Sequence, residues 1–269
     1  MNLRESSLPA GWHPRNPDEI SRFLSGMARG TARAAIAPHA GWYYSGKIAA
    51  RAVASIDSSI TTLVIIGGHL PAGCPPLFAM EDAVSTPLGA ITINAGLRTA
   101  LYSELDGSED RYRDNTVEVL LPMARFFFPE AALLWLRLPA EISSFEAGKK
   151  IAAAADTGRT AVLASTDLTH YGPNYGFTPK GTGPDALRWM RETNDRRFIE
   201  AVESGNPEEV LERGETDSSS CSAGAVLGAM GFASAAGACP ASLLEYGTSA
   251  DVTEADSFVG YAAFAFLEK

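Results

Sequence analysis

The sequence predicts an α/β protein built in layers around one central sheet. Short apolar, β-prone runs alternate along the chain with segments of helical periodicity, the pattern typical of this class. Two apolar runs near the end, at 242–246 and 258–267, follow each other closely and predict some antiparallel pairing, hence a mixed sheet. No change in composition marks a boundary within the 269 residues, so we expect a single domain spanning 1–269.

Each predicted element follows from its local pattern. Strands are expected at 34–37, 63–66, 90–93, 132–138, 160–165, 242–246 and 258–267. Helices are expected at 47–56, 116–127, 145–155, 185–203 and 221–236. Within the fourth of these helices, Leu187, Met190, Phe198 and Val202 form the apolar side. Pro122 predicts a kink or an early end in the second.

The composition excludes several classes of function. The chain has 22 Lys+Arg against 32 Asp+Glu, a net charge of −10, which argues against nucleic acid or an anionic membrane as partner. No apolar run reaches the roughly 18 residues that cross a bilayer. The first 14 residues lack the pattern of a signal peptide. The three cysteines include no Cys-x-x-Cys pair, so we expect reduced thiols in a cytoplasmic protein.

Three of the four histidines follow predicted strands. His39, His69 and His170 come shortly after the runs that end at positions 37, 66 and 165. In open α/β sheets, ligands bind at the carboxyl edge of the strands. If these strands are parallel, the three imidazoles converge there and predict a metal or catalytic centre. His13 lies in an N-terminal loop and is interpreted as structural.

Two aspartates are candidate partners of these histidines. Asp167 precedes His170 by three residues, so it could orient the imidazole or accept its proton, or cap a helix that begins there. Asp251 lies in another loop after a strand and could reach the same edge of the sheet. Two histidines and one carboxylate form a facial triad, which holds iron(II) with open positions, although a plain polar turn also explains Asp251.

The motifs around these residues resemble those of a known family, the Memo-like proteins, which include component B of the AmmeMemoRadiSam system. The strongest matches are Ala-Pro-His-Ala-Gly-Trp-Tyr-Tyr-Ser-Gly at 37–46 and Ser-Thr-Asp-Leu-Thr-His-Tyr-Gly at 165–172. Shorter matching stretches lie at 10–12, 85–89, 246–252 and 259–263. The resemblance therefore runs over nearly the whole chain.

This resemblance implies a fold similar to that of the LigB-like extradiol dioxygenases, a three-layer α/β/α domain with a central mixed sheet. Those enzymes open catechol-type rings with non-haem iron(II) held by two histidines and a carboxylate. By the same resemblance, His39 and His69 occupy the two histidine ligand positions and His170 that of the acid/base histidine. Animal Memo proteins place a cysteine near positions 251–252. This chain has none there, and Asp251 is the nearest candidate for the third ligand.

The resemblance also suggests residues that contact the substrate. Tyr43 and Ser249 lie in matching motifs, and Glu118 is expected to shape the pocket. Asn115 stands where the family has a pocket histidine, and an amide can donate a hydrogen bond but cannot shuttle a proton near neutral pH. Cys221 stands where the family often has Cys-Gly and is a further candidate for the pocket.

The residues predict a metal or catalytic centre, and the resemblance implies a metal-dependent, dioxygenase-like oxidoreductase acting on a small phenol-like or catechol-like molecule. Iron(II) is the expected metal, with copper or zinc as alternatives, since imidazole suits all three. One alternative is a non-catalytic metal- or peptide-binding protein. Another is a metal-assisted hydrolase using Ser165, His170 and Asp167, although the chain lacks a Gly-x-Ser-x-Gly elbow. The Ala-rich helix predicted at 221–236 could pack in a core or at an interface, which leaves a homo-oligomer open.

Overall fold

A computed structural model describes residues 2–268. Its strands are β1 (Leu3–Arg4), β2 (Ala34–Ala37), β3 (Thr62–Gly67), β4 (Leu77–Phe78), β5 (Ala83–Val84), β6 (Ile91–Thr92), β7 (Ser108–Glu109), β8 (Ala132–Arg137), β9 (Thr160–Ser165), β10 (His170–Tyr171), β11 (Ser242–Thr248) and β12 (Phe258–Phe266). Its α-helices are α1 (Pro17–Leu24), α2 (Trp42–Ser55), α3 (Ala95–Glu104), α4 (Asn115–Glu118), α5 (Leu121–Phe127), α6 (Ser143–Ala154), α7 (Pro184–Trp189), α8 (Asp195–Ser204), α9 (Pro207–Thr216) and α10 (Ala223–Ala235).

The central sheet is mixed. Its middle strands, in the order β2-β9-β3-β8, are parallel neighbours. On one side β12 runs antiparallel to β2, and β11 runs antiparallel to β12, which confirms the pairing expected for the last two strands. On the other side β4 runs antiparallel to β8. A separate small sheet contains β1, β5 and β6.

Both faces of the central sheet are covered by helices. Successive residues of a strand point to opposite faces, so Ile65 belongs to one buried core and Val64 to the other. Helices α1, α2 and α5 contribute to the first core. Helices α6 and α10 pack on each other, and α10 also packs on the strands of the second face. These three layers confirm the predicted α/β/α fold, and α10 lies inside the core.

The bounds of some observed helices differ from the predicted ones because tertiary contacts set where these helices begin and end. Helix α2 begins at Trp42, five residues before the predicted start, because the Trp42 side chain is buried and its indole N–H donates to the carbonyl of Val119. The predicted helix at 116–127 is two helices, α4 and α5. The helix ends early, as expected near Pro122, which lies in the first turn of α5, where a missing N–H breaks no helical hydrogen bond.

Other elements also differ from the predicted ones. The predicted helix at 185–203 is interrupted by a five-residue π-helix, Met190–Asn194, between α7 and α8. Helices α1, α3 and α9 were not predicted. The strand predicted at 90–93 is reduced to the two residues of β6. Within residues 2–268, no helix combines the length and the apolar content needed to cross a bilayer.

Candidate metal centre

The loops after β2 and β3 bring two histidines together. His39 and His69 each lie two residues beyond the end of their strand, and parallel strands separated only by β9 carry both to the same edge of the sheet. Their rings meet edge to face with centroids 4.9 Å apart. His39 is buried, whereas the side chain of His69 is 34 % exposed, so the pair is open to solvent on one side.

Cys221 completes this cluster. It lies just before α10, and its Sγ is 3.2 Å from Nε2 of His39. One ligand atom from each of Cys221, His39 and His69 lies within 4.8 Å of the others. The backbone N–H of Asp167 also donates to Sγ, at 3.3 Å. Two imidazoles and one thiol around a common point form a donor set that suits a transition metal.

The charges of the cluster are coupled. Burial raises the pKa of the Cys221 thiol, but the imidazoles of His39 and His69 outweigh it and hold that pKa well below its usual range. Burial lowers the pKa of His69, but Asp114 and Cys221 together raise it to about 10. The pKa of His39 is raised against burial by Cys221 and Asp167. The thiolate is therefore already favoured, and a bound cation would replace protons on the rings.

Hydrogen bonds at the far side of each ring fix its orientation. Nδ1 of His39 lies 2.8 Å from Oγ of Ser165, and Nδ1 of His69 lies 3.0 Å from Oδ2 of Asp114. Asp114 also accepts from the backbone N–H of Thr116 and pairs with buried Arg137, with 3.3 Å between Nη2 and Oδ2. These bonds leave Nε2 of each histidine as the nitrogen that can bind a cation.

The backbone at His69 adopts an unusual conformation. Its φ of +56° lies in the left-handed region, which costs a non-glycine residue about 1–2 kcal/mol. The preceding Gly68 is packed so closely that a Cβ there would lie 2.3 Å from Cβ of Ser222. Strain of this kind persists where the surroundings enforce it, and it is concentrated at functional sites.

Asp251, the carboxylate expected to be the third ligand, lies outside the cluster. Its Oδ1 is 2.7 Å from Nη2 of Arg191, and its Oδ2 accepts from the backbone N–H of Thr248 at 2.7 Å. Both oxygens therefore serve to cap and anchor the short 3₁₀ helix Ser249–Asp251. The structure groups Cys221, and not Asp251, with the two histidines.

Glu118 lies away from the histidines as well. Its buried carboxylate accepts four hydrogen bonds from the N-terminal segment: from the hydroxyls of Ser6 and Ser7 and from the backbone N–H groups of Ser7 and Leu8. The chain continues from there to Gly11 and Trp12, which line the cavity described below. Glu118 thus anchors the N-terminal segment and is not among the residues that line that cavity.

His170 and Asp167 lie beside the cluster. Oδ1 of Asp167 accepts from the backbone N–H of His39 at 2.7 Å, so this carboxylate fixes the His39 loop and caps no helix. His170 is close enough for its charge to lower the pKa of Asp167, against the larger effect of burial. The ring of His170 packs edge to face on Tyr175, with centroids 5.0 Å apart.

The position of His170 is set through its neighbour in the chain. Buried Asp195 accepts from both the N–H and the hydroxyl of Thr169, and from the hydroxyl of Tyr246 at 2.7 Å. Asn194, the last residue of the π-helix, donates to the hydroxyl of Thr169 at 2.9 Å. The wider turn of the π-helix brings the side chains of Asn194 and Asp195 to Thr169.

A cavity of about 740 Å³ opens above the cluster. This volume is in the range of small-molecule sites. Of the predicted site residues, it is lined by His39, His69, His170, Asp167, Tyr43, Asn115 and Ser249. Asn115 donates from Nδ2 to the carbonyl of His39 at 3.0 Å, so its amide is used in holding that loop.

Sequence reasoning missed several residues of this site. Cys221 was expected only as a pocket residue, although one signal was present: a cysteine at the start of a helix has its thiolate favoured by the helix N-terminus. Asp114 has no such signal, because its contact with His69 spans 45 residues of chain. Trp12, Tyr44 and Tyr175 also line the cavity.

Comparison with known proteins places the chain in a family. The family model described as Memo-like protein matches residues 4–265. A MEMO1 family protein of Thermococcus kodakarensis is 30 % identical, covering 98 % of this chain and 99 % of that protein. One of Methanothermobacter thermautotrophicus is 31 % identical, covering 97 % and 99 %.

Among solved structures, an uncharacterized protein from Escherichia coli K12 aligns with a TM-score of 0.48 and 13 % identity, over 86 % of this chain and 99 % of that one. The sequence matches extend over the strand-end loops that carry His39, His69 and His170 as well as over the core. From the family model and the curated relatives, this chain belongs to the Memo-like family.

Proposed function

We propose that this protein is a metal-dependent oxidoreductase of the dioxygenase type, with iron(II) held by His39, His69 and Cys221. The observation that carries the proposal is that His39 and His69, two of the three residues of this cluster, line a cavity of small-molecule size. A metal bound there would face the cavity, and hence a substrate, on its open side. The proposed substrate is a small catechol-like phenol.

The donor set fits this assignment. Imidazole and thiolate both bind iron, copper and zinc, and the two imidazoles that lower the pKa of Cys221 favour its thiolate form. Iron(II) would supply binding of dioxygen and of the substrate hydroxyls. Opening of a catechol ring consumes one O₂ and places both oxygen atoms in the product, so it needs no external reductant. Copper and zinc are the competing metals at the same three ligands.

His170 is the proposed proton carrier. It lines the cavity beside the cluster, and its ring rests on Tyr175. A neutral imidazole there can take a proton from a phenolic hydroxyl and later return it. Asp167 lines the cavity together with His170, and its Oδ1 keeps the His39 loop in place. Asn115 positions that same loop and moves no proton.

A non-catalytic metal-binding protein is the second candidate, and Asn115 favours it, since it replaces a titratable pocket residue of the family. The hydrolase alternative has less support. Ser165 is buried and bonds to Nδ1 of His39, so it does not form a triad with His170 and Asp167. Binding of a phosphorylated peptide also has little support, because the described residues that line the cavity include no arginine or lysine to pair with the phosphate.

Anaerobic metal analysis tests the proposal. The protein loaded with iron(II) is expected to hold about one ion per chain, and His39→Ala is expected to abolish binding. Cys74→Ala removes a thiol outside the cluster and serves as the matched control. Oxygen uptake on a panel of catechols then separates the two candidates. Iron binding without uptake across the panel would support the non-catalytic protein, and iron binding that survives His39→Ala would refute the site.

A further inference from the structure

The upper wall of the cavity is aromatic. Trp12, Tyr44 and Tyr175 line it, with 41 % of Tyr44 and 48 % of Tyr175 exposed. Tyr43 stands at the rim, 69 % exposed, and packs edge to face on Tyr44 at 4.9 Å. Aromatic rings stack with a ligand ring at their edges or faces, and their faces attract cations. The wall therefore offers contacts to a planar ring and to a positive group.

The charges around this wall do not favour an anion. Among the described residues that line the cavity there is no lysine and no arginine, whereas the carboxylate of Asp167 lies on it. Arg191, on the neighbouring π-helix, is directed to Thr248 and Asp251. An anionic group placed against the tyrosines would lose water without gaining a cationic partner.

Groups that can carry positive charge lie elsewhere in the cavity. Among the described lining residues they are His39 and His69, which form the floor beside Cys221, and His170 at the side. A ligand would place its acidic hydroxyl at the floor and its tail at the wall.

We propose that the cavity selects a phenol or catechol ring whose substituent is neutral or cationic, an aryl alkylamine above all, and discriminates against ring substituents that carry carboxylate or phosphate. This deepens the proposed function, on which it rests in taking the cavity as the substrate site. The net charge of −10 further favours the approach of a cation over that of an anion.

Three phenols of matched shape test the selectivity by isothermal titration calorimetry. Tyramine, 4-ethylphenol and 3-(4-hydroxyphenyl)propionate share the ring and a two-carbon tail, and they differ in the charge at its end. We expect tyramine to bind about tenfold or more tighter than the propionate, with 4-ethylphenol between them. The difference should shrink as salt is raised. The order should hold in zinc-loaded and in metal-free protein, since the wall and not the metal sets it.

Two variants assign the effect to the wall. Tyr44→Leu keeps apolar bulk and should reduce the preference for tyramine several-fold, whereas Tyr112→Leu removes an exposed tyrosine outside the cavity and should leave it intact. Asn174→Arg places a cation at an exposed position of the wall and should reverse the order.

Equal affinities, tighter binding of the propionate, or no binding of any of the three phenols would overturn the proposal. The readout is separate from that of the proposed function. If the three phenols bind in the expected order but the protein consumes no oxygen with any catechol, this inference stands and the dioxygenase proposal fails. If the protein consumes oxygen with catechols that carry a carboxylate, the dioxygenase proposal stands and this inference fails.

Discussion

His39 and His69 differ from His170 in how their rings are held. In the first pair, Nδ1 of each ring has a hydrogen-bonding partner, Ser165 or Asp114, so the direction of Nε2 is set. The ring of His170 packs on Tyr175, and its position is set through the backbone of Thr169. A metal ligand needs one fixed nitrogen, whereas a proton carrier needs a nitrogen that can gain and lose a proton. Under the proposed function, the two halves of the cavity would serve these different tasks.

The largest expected effect concerns the identity of the third ligand. Cys221→Ala should lower the affinity for iron(II) by more than the 10–100-fold typical of residues that only support a ligand. Asp251→Ala should leave that affinity unchanged, because Arg191 and Thr248 occupy its oxygens. Cys239→Ala is the control for loss of a half-buried thiol elsewhere. Competition with a coloured chelator measures all three. A loss of affinity confined to Asp251→Ala would return the carboxylate to the ligand set.

The next effect tests whether orientation of His69 matters. Asp114→Asn keeps the size of the side chain but weakens the bond to Nδ1 and the pairing with Arg137. We expect the affinity for iron(II) to fall about 10–100-fold. Asp156→Asn changes an exposed aspartate just before β9, at the opposite edge of the sheet, and should have no effect. Unchanged affinity in Asp114→Asn would mean that the ring needs no partner.

The smallest expected effect concerns Asp195, which binds Thr169 and so positions His170. Burial raises the pKa of Asp195 to about 6, above the 3.8 of an unconstrained aspartate. The folded chain therefore holds this proton more tightly than the unfolded chain does. The resulting contribution to stability is complete below about pH 4 and is lost as the pH rises through about 6.

Asp195→Asn should remove this dependence. Between pH 4.5 and 7, the free energy of unfolding of the wild type should fall by about 2 kcal/mol relative to the variant. Urea unfolding at the two pH values measures the difference. Asp185→Asn, at an exposed position of α7, is the control. Parallel pH profiles in wild type and Asp195→Asn would show that Asp195 is charged in the folded protein at both pH values.

The layered fold and the edge that carries the site could be predicted because apolar periodicity and strand ends are local signals. The runs at 34–37 and 160–165 became β2 and β9 without change. Position after a strand alone singled out His39, His69 and His170, and the family resemblance then assigned His39 and His69 as the ligand pair. What could not be predicted depends on contacts between distant parts of the chain. Two such contacts are the approach of Cys221 to His39 and the hydrogen bond from Ser6 to Glu118. A third feature is the turn in which Asp251 accepts from the backbone of Thr248.

The chain distance between the ligands has a mechanical consequence. His39 and Cys221 are separated by 182 positions, so a cation bound to both would tie the first strand-end loop to the start of α10 and close a loop of most of the chain. Such a cross-link restricts the unfolded chain and must open before the sheet and its second layer of helices can separate. Metal binding would then stabilise the folded protein, and the melting temperature would rise with the fraction of sites that hold a metal.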